Sequence, residues 1–222
     1  MIYFTGDLHG DRTRLEEKKI KRLRRGDTLV VCGDFGFVWD NSSEERKLLT
    51  WIGKRRYNVV FVEGVHDNMA LLEKYPVERW NGGLTHHICG NLRHLIRGQA
   101  YNINGKVLFA FGGGEDEDQA ILQEASVDWR SQELPTAQEL QRAWTAVRML
   151  DKKIDYVVSH HPPSNIASCI TNHTGEVSSL TAFLDKLQMQ CQFQGWYFGG
   201  YHQNKIIPPY YYCLFDDVVP GK

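Results

Sequence analysis

Three short apolar runs, each ending at a glycine and followed by polar residues, constrain the fold of this chain more than any other feature. The runs are Ile2 to Thr5, Thr28 to Cys32 and Asn58 to Val62. Apolar runs of this length that end in glycine turns are typical of buried strands. Helical patterns at about 11–24 and 43–55 separate the runs, so the sequence predicts βαβ connections and an α/β fold.

Further strands are predicted along the rest of the chain, and the last two are expected to form a closing antiparallel pair. They are Leu92 to Leu95, Tyr101 to Ile103, Lys106 to Phe111, Asp155 to Ser159, Gly195 to Phe198, Lys205 to Ile207 and Tyr210 to Phe215. Helices are predicted from about Thr136 to Leu150, where Glu139 completes a capping box, and near Ser178 to Lys186. The composition shows no break and no low-complexity linker, so residues 1–222 are expected to form a single domain.

The charges of the chain are balanced overall. The formal net charge is -1, which gives no global electrostatic reason to expect binding to nucleic acid or to a membrane. One basic run surrounds the apolar residues Ile20 and Leu23. It contains Lys18, Lys19, Lys21, Arg22, Arg24 and Arg25. This pattern favours the solvated face of a helix, and a contact with phosphate or a partner is the alternative.

The sequence carries no pattern of export or membrane insertion. Met1 is followed directly by the first apolar run, without the basic and apolar regions of a signal peptide. No stretch approaches the roughly 20 apolar residues of a membrane span. The five cysteines are scattered, so neither a disulfide framework nor a thiolate zinc site is indicated. A cytoplasmic location is expected.

Polar residues follow five of the predicted strands. They are Asp7 with His9, Asp34, His66 with Asp67, His160 with His161, and His202. Taken singly, each could be a turn residue or a histidine satisfied within the sheet. Polar groups at the carboxyl ends of neighbouring parallel strands converge on one edge, however, and carboxylate and imidazole ligands suit manganese, iron or zinc. An aspartate shared by two ions holds them about 3.5–4 Å apart, where they can clamp a phosphoryl group.

The order of these motifs resembles that of the calcineurin-like metallophosphoesterases. That superfamily has D-x-H, then G-D, then G-N-H-[DE], then a His before a Pro, then G-H-x-H. This chain has G-D-L-H-G at 6–10, G-D at 33–34, G-V-H-D at 64–67, H-H-P-P at 160–163 and G-G-Y-H at 199–202. The resemblance, to a bacterial-type single-domain member, implies a two-sheet α/β sandwich flanked by helices, with the metal site at the sheet edge.

The resemblance also implies a set of metal ligands. Asp7, His9 and His202 would hold the first ion. Asp34 would bridge two ions, and His160 would hold the second. Manganese is the ion we expect, with iron, zinc, nickel or magnesium as alternatives and with one or two ions bound.

A catalytic role is implied for His66, which would act as a general acid or stabilise the transition state near the leaving-group oxygen. Many members carry an Asp where this chain has Phe37, which leaves Asp67 or Asp40 to orient His66. The implied activity is hydrolysis of phosphomonoester or phosphodiester bonds by metal-activated water. A small-molecule or nucleotide phosphoester is the expected substrate, and neither a membrane nor nucleic acid is indicated as a partner.

Two ligand positions of the superfamily are changed. Val65 stands where the family has Asn, and Gly200 stands where it has the first His of its last motif. Neither side chain can donate or accept a hydrogen bond, and the family assigns both positions to the second ion. That site would keep only Asp34 and His160, so we expect a tight first ion and a weak or empty second site.

The loss of these ligands leaves three alternatives open. The chain is a one-metal or weakly two-metal phosphoesterase, or an impaired member that binds phosphate ligands or proteins, or other residues complete the site. The candidates for completing it are His161, His86, His87 and Glu115 to Asp118. A serine/threonine protein phosphatase is disfavoured, because the Asp-Arg-Gly expected around Phe37 is absent. Specificity is expected to lie in the loops at 79–105 and 115–135.

Overall fold

The strands form two mixed sheets in the computed structural model, which describes residues 1–114, 134–171 and 178–222. The first sheet contains β1 (Ile2–Thr5), β2 (Thr28–Cys32), β3 (Asn58–Val62), β4 (Val77–Trp80), β5 (Gly83–Cys89), β6 (Leu92–Leu95) and β13 (Val219–Pro220). Its order is β13-β1-β2-β3-β6-β5-β4, with β1, β2, β3 and β6 parallel.

The second sheet is built from the later strands. It contains β7 (Gln99–Ile103), β8 (Lys106–Phe111), β9 (Tyr156–Ser159), β10 (Gly195–Phe198), β11 (Lys205–Ile207) and β12 (Tyr211–Cys213). Its order is β11-β12-β10-β9-β8-β7, and β8, β9, β10 and β12 are parallel. The predicted closing antiparallel pair is confirmed as β11 and β12.

Helices cover the outer faces of the sheets. They are a 3-10 helix (Arg12–Glu16), α1 (Lys18–Lys21), α2 (Ser43–Gly53), α3 (Met69–Leu72), α4 (Ala137–Met149), α5 (Ser164–Thr171) and α6 (Ser179–Gln190). The capping box of Thr136 and Glu139 is confirmed at the start of α4. The continuous helix predicted at 11–24 is wrong, because Glu17 has an extended backbone (φ -59°, ψ 148°) that separates the 3-10 helix from α1. Among the described residues, no helix has both the length and the apolar character that a membrane crossing requires.

The core has three apolar layers. The central layer lies between the two sheets, where the rings of Phe4 and Tyr197 stack at 3.7 Å between centroids. A second layer lies outside the first sheet, where Leu49 and Ile52 of α2 are buried. A third layer lies outside the second sheet and is packed by α4 and α6. This arrangement confirms the expected α/β sandwich of two sheets flanked by helices.

The region at 79–105, where specificity loops were expected, contains the predicted strands β6 and β7 and also a hairpin that was not predicted. Strands β4 and β5 form an antiparallel hairpin there and extend the first sheet beyond β6. The hairpin was missed because β4 is an edge strand, with Val77, Glu78 and Arg79 all exposed. An exposed edge strand lacks the buried alternation that marks an internal strand in a sequence.

Candidate metal centre

The carboxyl ends of parallel strands from both sheets meet at one edge of the sandwich. In the first sheet, Asp7 follows β1, Asp34 follows β2 and His66 follows β3. In the second sheet, His160 follows β9 and His202 follows β10. The side chains that were predicted to form the site are therefore brought together by the predicted topology.

One group of donor atoms comes from Asp7, His9 and His202, and all of them lie within 4.8 Å of one another. The Nε2 atoms of His9 and His202 are 2.8 Å apart, and His202 Nε2 is 3.7 Å from Asp7 Oδ2. Both histidines are exposed, whereas Asp7 is completely buried. Two imidazole nitrogens facing one carboxylate form a donor set that fits a first-row divalent ion.

A second group comes from Asp7, Asp34 and His160, all of which are buried. His160 Nδ1 lies 3.5 Å from Asp7 Oδ1, and His160 Nε2 lies 3.6 Å from Asp34 Oδ1. A third group joins His9 and His66 to Asp34. Asp7 and Asp34 each belong to two of the three groups, so these carboxylates link the donor sets.

Two glycines leave room for these carboxylates. A Cβ atom on Gly64 would overlap the carboxylate of Asp34, and a Cβ atom on Gly199 would overlap that of Asp7. The amide of Gly200 also donates to both carboxylate oxygens of Asp7, at 2.9 and 3.1 Å. The glycines of the motifs are therefore required by the close approach of the backbone to the ligands.

Three candidate ligands have left-handed backbone conformations. The φ angles are 47° at His9, 42° at Asp34 and 48° at His202. Such φ values are uncommon outside glycine, cost about 1–3 kcal/mol each and cluster at functional sites. The amides of Leu8 and His9 both donate to the Asp34 carbonyl, at 3.0 and 2.9 Å, so the first two loops support each other.

The carboxylates and histidines shift each other's pKa values. Burial raises the pKa of Asp7 to about 6, against the lowering effect of His160. Burial also acts to raise the pKa of Asp34, but His160 and the hydrogen bonds from His66 hold it well below its usual range. Burial opposes the protonation of His160, yet Asp34 and Asp7 raise its pKa. A proton on His160 thus supplies part of the positive charge that an ion would bring.

His66 is exposed and contacts Asp34 with both its ring and its backbone. Its Nδ1 atom lies 2.7 Å from Asp34 Oδ2, and its amide donates to Asp34 Oδ1 at 2.9 Å. The ring is also within 5.4 Å of the ring of His9, measured between centroids. The histidine that was predicted to be catalytic is therefore itself a member of the third donor group.

Asp67 lies beneath the site, where it anchors two loops. Its carboxylate accepts hydrogen bonds from the amides of Phe35 and Gly36 after β2, and of Gly64 after β3, at 2.8–3.1 Å. Burial raises its pKa to about 6, and Asp34 adds to the rise. This anchoring role was not predicted from the sequence, and the catalytic role of Asp67 stays a prediction. Asp40 is exposed and accepts from the amide of Ser42 before α2.

The two changed ligand positions both adjoin the second donor group. A Cβ atom on Gly200 would lie 3.4 Å from His160 Cε1 and 3.4 Å from His161 Cδ2. Val65 is buried, and its Cγ1 would lie 2.7 Å from a Cβ atom on Gly114. That same Cβ would lie 3.1 Å from His160 Cδ2, so Val65 and Gly200 both lie near the ring of His160.

Of the residues suggested to complete the site, His161 is the one that adjoins it among the described residues. Its ring centroid is 5.0 Å from that of His160, although it joins none of the three donor groups. His86 and His87 lie on β5, where His86 contacts His94 at 2.9 Å and His87 contacts Glu78 at 3.1 Å. The acids at 115–118 and most of the loop at 115–135 lie outside the described residues.

Comparison with known proteins identifies one family. A family model described as calcineurin-like phosphoesterase matches residues 1–204. No curated protein matches the chain. The matched region includes every residue of the three donor groups.

Proposed function

We propose, because the chain belongs to the calcineurin-like phosphoesterase family, that it hydrolyses phosphomonoester or phosphodiester bonds in a small-molecule or nucleotide substrate. The observation that carries this proposal is the set of three overlapping donor groups joined by Asp7 and Asp34. Family membership and this cluster support a metal-dependent phosphoesterase. A cytoplasmic location stays a prediction, which cell fractionation would test.

We assign two separate ions to these donor residues. Asp7, His9, His202 and Asp34 would hold the first ion. Asp34 and His160 would hold the second. We propose manganese, with iron, zinc, nickel or magnesium as alternatives, because the donors are carboxylate oxygens and imidazole nitrogens. Divalent ions at such a site neutralise phosphoryl charge and lower the pKa of bound water.

His66 is the residue that we propose as the proton donor. The contact of its Nδ1 with Asp34 Oδ2, at 2.7 Å, fixes the orientation of the ring beside the proposed metal ligands. The side chain is 56% exposed, so a substrate can reach it. A donor in this position can protonate the leaving-group oxygen as the bond to phosphorus breaks.

Hydrolysis of two aryl substrates tests this function. Purified protein with added Mn²⁺ should hydrolyse p-nitrophenyl phosphate or bis-p-nitrophenyl phosphate, and His66→Gln should lower kcat by roughly 10²–10⁴-fold. His87→Gln is the matched control, because His87 lies on β5 and pairs with Glu78 of β4, and it belongs to none of the donor groups. The proposal fails if neither substrate is hydrolysed, or if Asp34→Asn leaves the rate unchanged.

A second candidate function is a binding module without turnover. The observation that favours it is the pair Val65 and Gly200, which leaves the second donor group without two of the family's ligands. Such a module would bind a phosphate ligand or a protein at the same sheet edge. Turnover by the natural chain far above that of His66→Ala would exclude this function.

A further inference from the structure

A basic pocket lies at the end of the first sheet opposite the donor groups. Arg25 comes shortly before β2, Asn58 begins β3 and Asn91 directly precedes β6. These are the amino ends of the parallel strands, whereas the candidate metal ligands follow their carboxyl ends. The pocket has a volume of about 510 Å³. Its polar lining consists of Arg25, Lys54, Arg55, Arg56, Asn58 and Asn91.

Two of the lining arginines are held in place by uncharged groups, which do not neutralise the positive charge of the arginines. Arg56 donates from Nε to the carbonyl of Leu23 at 2.7 Å and from a terminal nitrogen to that of Lys21 at 3.1 Å. The Arg55 guanidinium stacks on the ring of Trp51, 3.6 Å from its centroid. Among the described residues, Arg55 Nε and one terminal nitrogen have no hydrogen-bond partner. Both guanidinium groups are thus preorganised without a carboxylate.

The surroundings of the pocket are also basic. Its lining includes four cationic side chains and, among the described residues, no carboxylate. The basic run at 18–25 adjoins it, because the carbonyls that hold Arg56 belong to that run. Two nearby carboxylates have other partners: Asp27 binds the N-terminal ammonium at 2.8 Å, and Asp217 binds Lys19 at 2.9 Å. In a chain with a formal charge of -1, positive charge is therefore concentrated at this end.

We propose that this pocket binds an oligophosphate, meaning a small molecule with at least two linked phosphates. A single phosphate would balance about two of the four cations, whereas linked phosphates would balance all four. Guanidinium groups suit such a ligand, since their paired N–H donors match phosphate oxygens. The volume of about 510 Å³ lies within the range of about 300–1,000 Å³ that small-molecule sites usually have.

Calorimetric titration of the full, metal-free chain with tripolyphosphate tests the proposal. Arg25→Gln combined with Lys54→Gln should weaken binding about tenfold or more, because charge-assisted hydrogen bonds are lost. Both side chains are exposed, so the variant should fold. The matched control is Arg142→Gln combined with Lys153→Gln, which removes two exposed cations elsewhere and should leave the affinity unchanged. Equal losses in both variants would overturn the proposal.

Two further arms distinguish this pocket from the metal centre and from a nucleic-acid site. Asp34→Asn should bind tripolyphosphate as the natural chain does, and a loss of binding there would assign the ligand to the metal centre and overturn the proposal. Orthophosphate should bind at least about tenfold more weakly than tripolyphosphate at equal ionic strength. Equal binding would overturn the assignment to linked phosphates. Tighter binding of a single-stranded oligonucleotide, weakened by Arg25→Gln with Lys54→Gln, would overturn it in favour of nucleic acid.

Arg55→Gln gives an independent measure of the same pocket. The stacking on Trp51 preorganises this guanidinium, so its loss should weaken tripolyphosphate binding by about tenfold or more. A thermal melt would show whether the variant is folded. Unchanged affinity in folded Arg55→Gln would contradict the proposed contact.

Discussion

The first and second donor groups share Asp7 but differ in the exposure of their histidines and in the residues around them. In the first group, His9 and His202 are exposed and their Nε2 atoms lie 2.8 Å apart. In the second group, His160 is buried and lies close to Val65 and Gly200, which offer no donor side chain. The ring of His160 nevertheless lies between the carboxylates of Asp7 and Asp34, at 3.5 and 3.6 Å.

The two groups also differ in the pKa values of their histidines. The buried carboxylates of Asp7 and Asp34 flank His160, and they raise its pKa. His9 is affected in the opposite direction, because burial lowers its pKa. A proton therefore competes with an ion more strongly in the second group than in the first. We expect the two groups to respond differently to mutation and to pH.

The largest expected effect is that of Asp34→Asn, because Asp34 is the proposed ligand of both ions and belongs to two of the three donor groups. Activity and metal content should fall by more than the roughly 10–100-fold loss typical of an outer-shell partner. Steady-state kinetics and elemental analysis would measure both quantities. Asp151→Asn is a matched control, since Asp151 is also a left-handed aspartate (φ 52°) but is exposed and pairs with Lys153. If Asp34→Asn retained its metal, Asp34 would not be a ligand of both ions.

The next effect separates the groups from each other. His202→Ala should weaken the tightest Mn²⁺ site by roughly 10–100-fold or more, because it removes one of four proposed ligands. His160→Gln should leave that site nearly unchanged and reduce only the weaker binding. Titration calorimetry with Mn²⁺ would distinguish the two, and a larger loss of the tight site in His160→Gln would reverse the comparison.

As the pH falls, the two ions should be lost one after the other. The second ion should be lost first as pH falls, because the pKa of His160 is raised and its proton must leave before an ion binds. The first ion should follow below about pH 6, where Asp7 becomes protonated. Each displaced proton lowers affinity by about tenfold per pH unit below the pKa. Mn²⁺ titrations between pH 5 and 8 would measure the order, and simultaneous loss would contradict it.

Restoring the changed ligands should give the smallest effect. Val65→Asn with Gly200→His should raise the affinity for a second ion, because both positions adjoin His160. The gain is partly offset by the left-handed backbone at residue 200 (φ 78°), which strains any residue with a side chain. Gly200→Ala carries the same strain without a donor and is the control. Unchanged metal stoichiometry in the double variant would mean that these positions do not serve the second ion.

The parallel strands and the clustering of the donor residues could be predicted because their signals are local. The run Thr28 to Cys32 is apolar and directly followed by a glycine and Asp34, so strand, turn and donor are visible in one short segment. The hairpin of β4 and β5 gave no such signal, because Val77 and its neighbours are exposed at the edge of the sheet. Residue Glu17 likewise gave no sign that it would interrupt the helical pattern.

The supporting parts of the site could not be predicted, because they depend on contacts between distant segments. From the sequence, Asp67 was predicted only to orient His66. Only the fold shows that its carboxylate accepts from the amides of Phe35, Gly36 and Gly64. The left-handed backbone at Asp34 is equally hidden, since it is maintained by loops that meet only in the folded chain.

The close fit around Gly64 and Gly199 limits which residues of this chain can change during evolution. Val65 and Gly200, which have no donor side chain, are accommodated near the ring of His160. A Cβ atom on Gly64 or Gly199 would instead overlap the carboxylate of Asp34 or Asp7. We therefore expect lineages released from selection on catalysis to lose ligands before these glycines. In such descendants the two glycines should persist longer than the histidines.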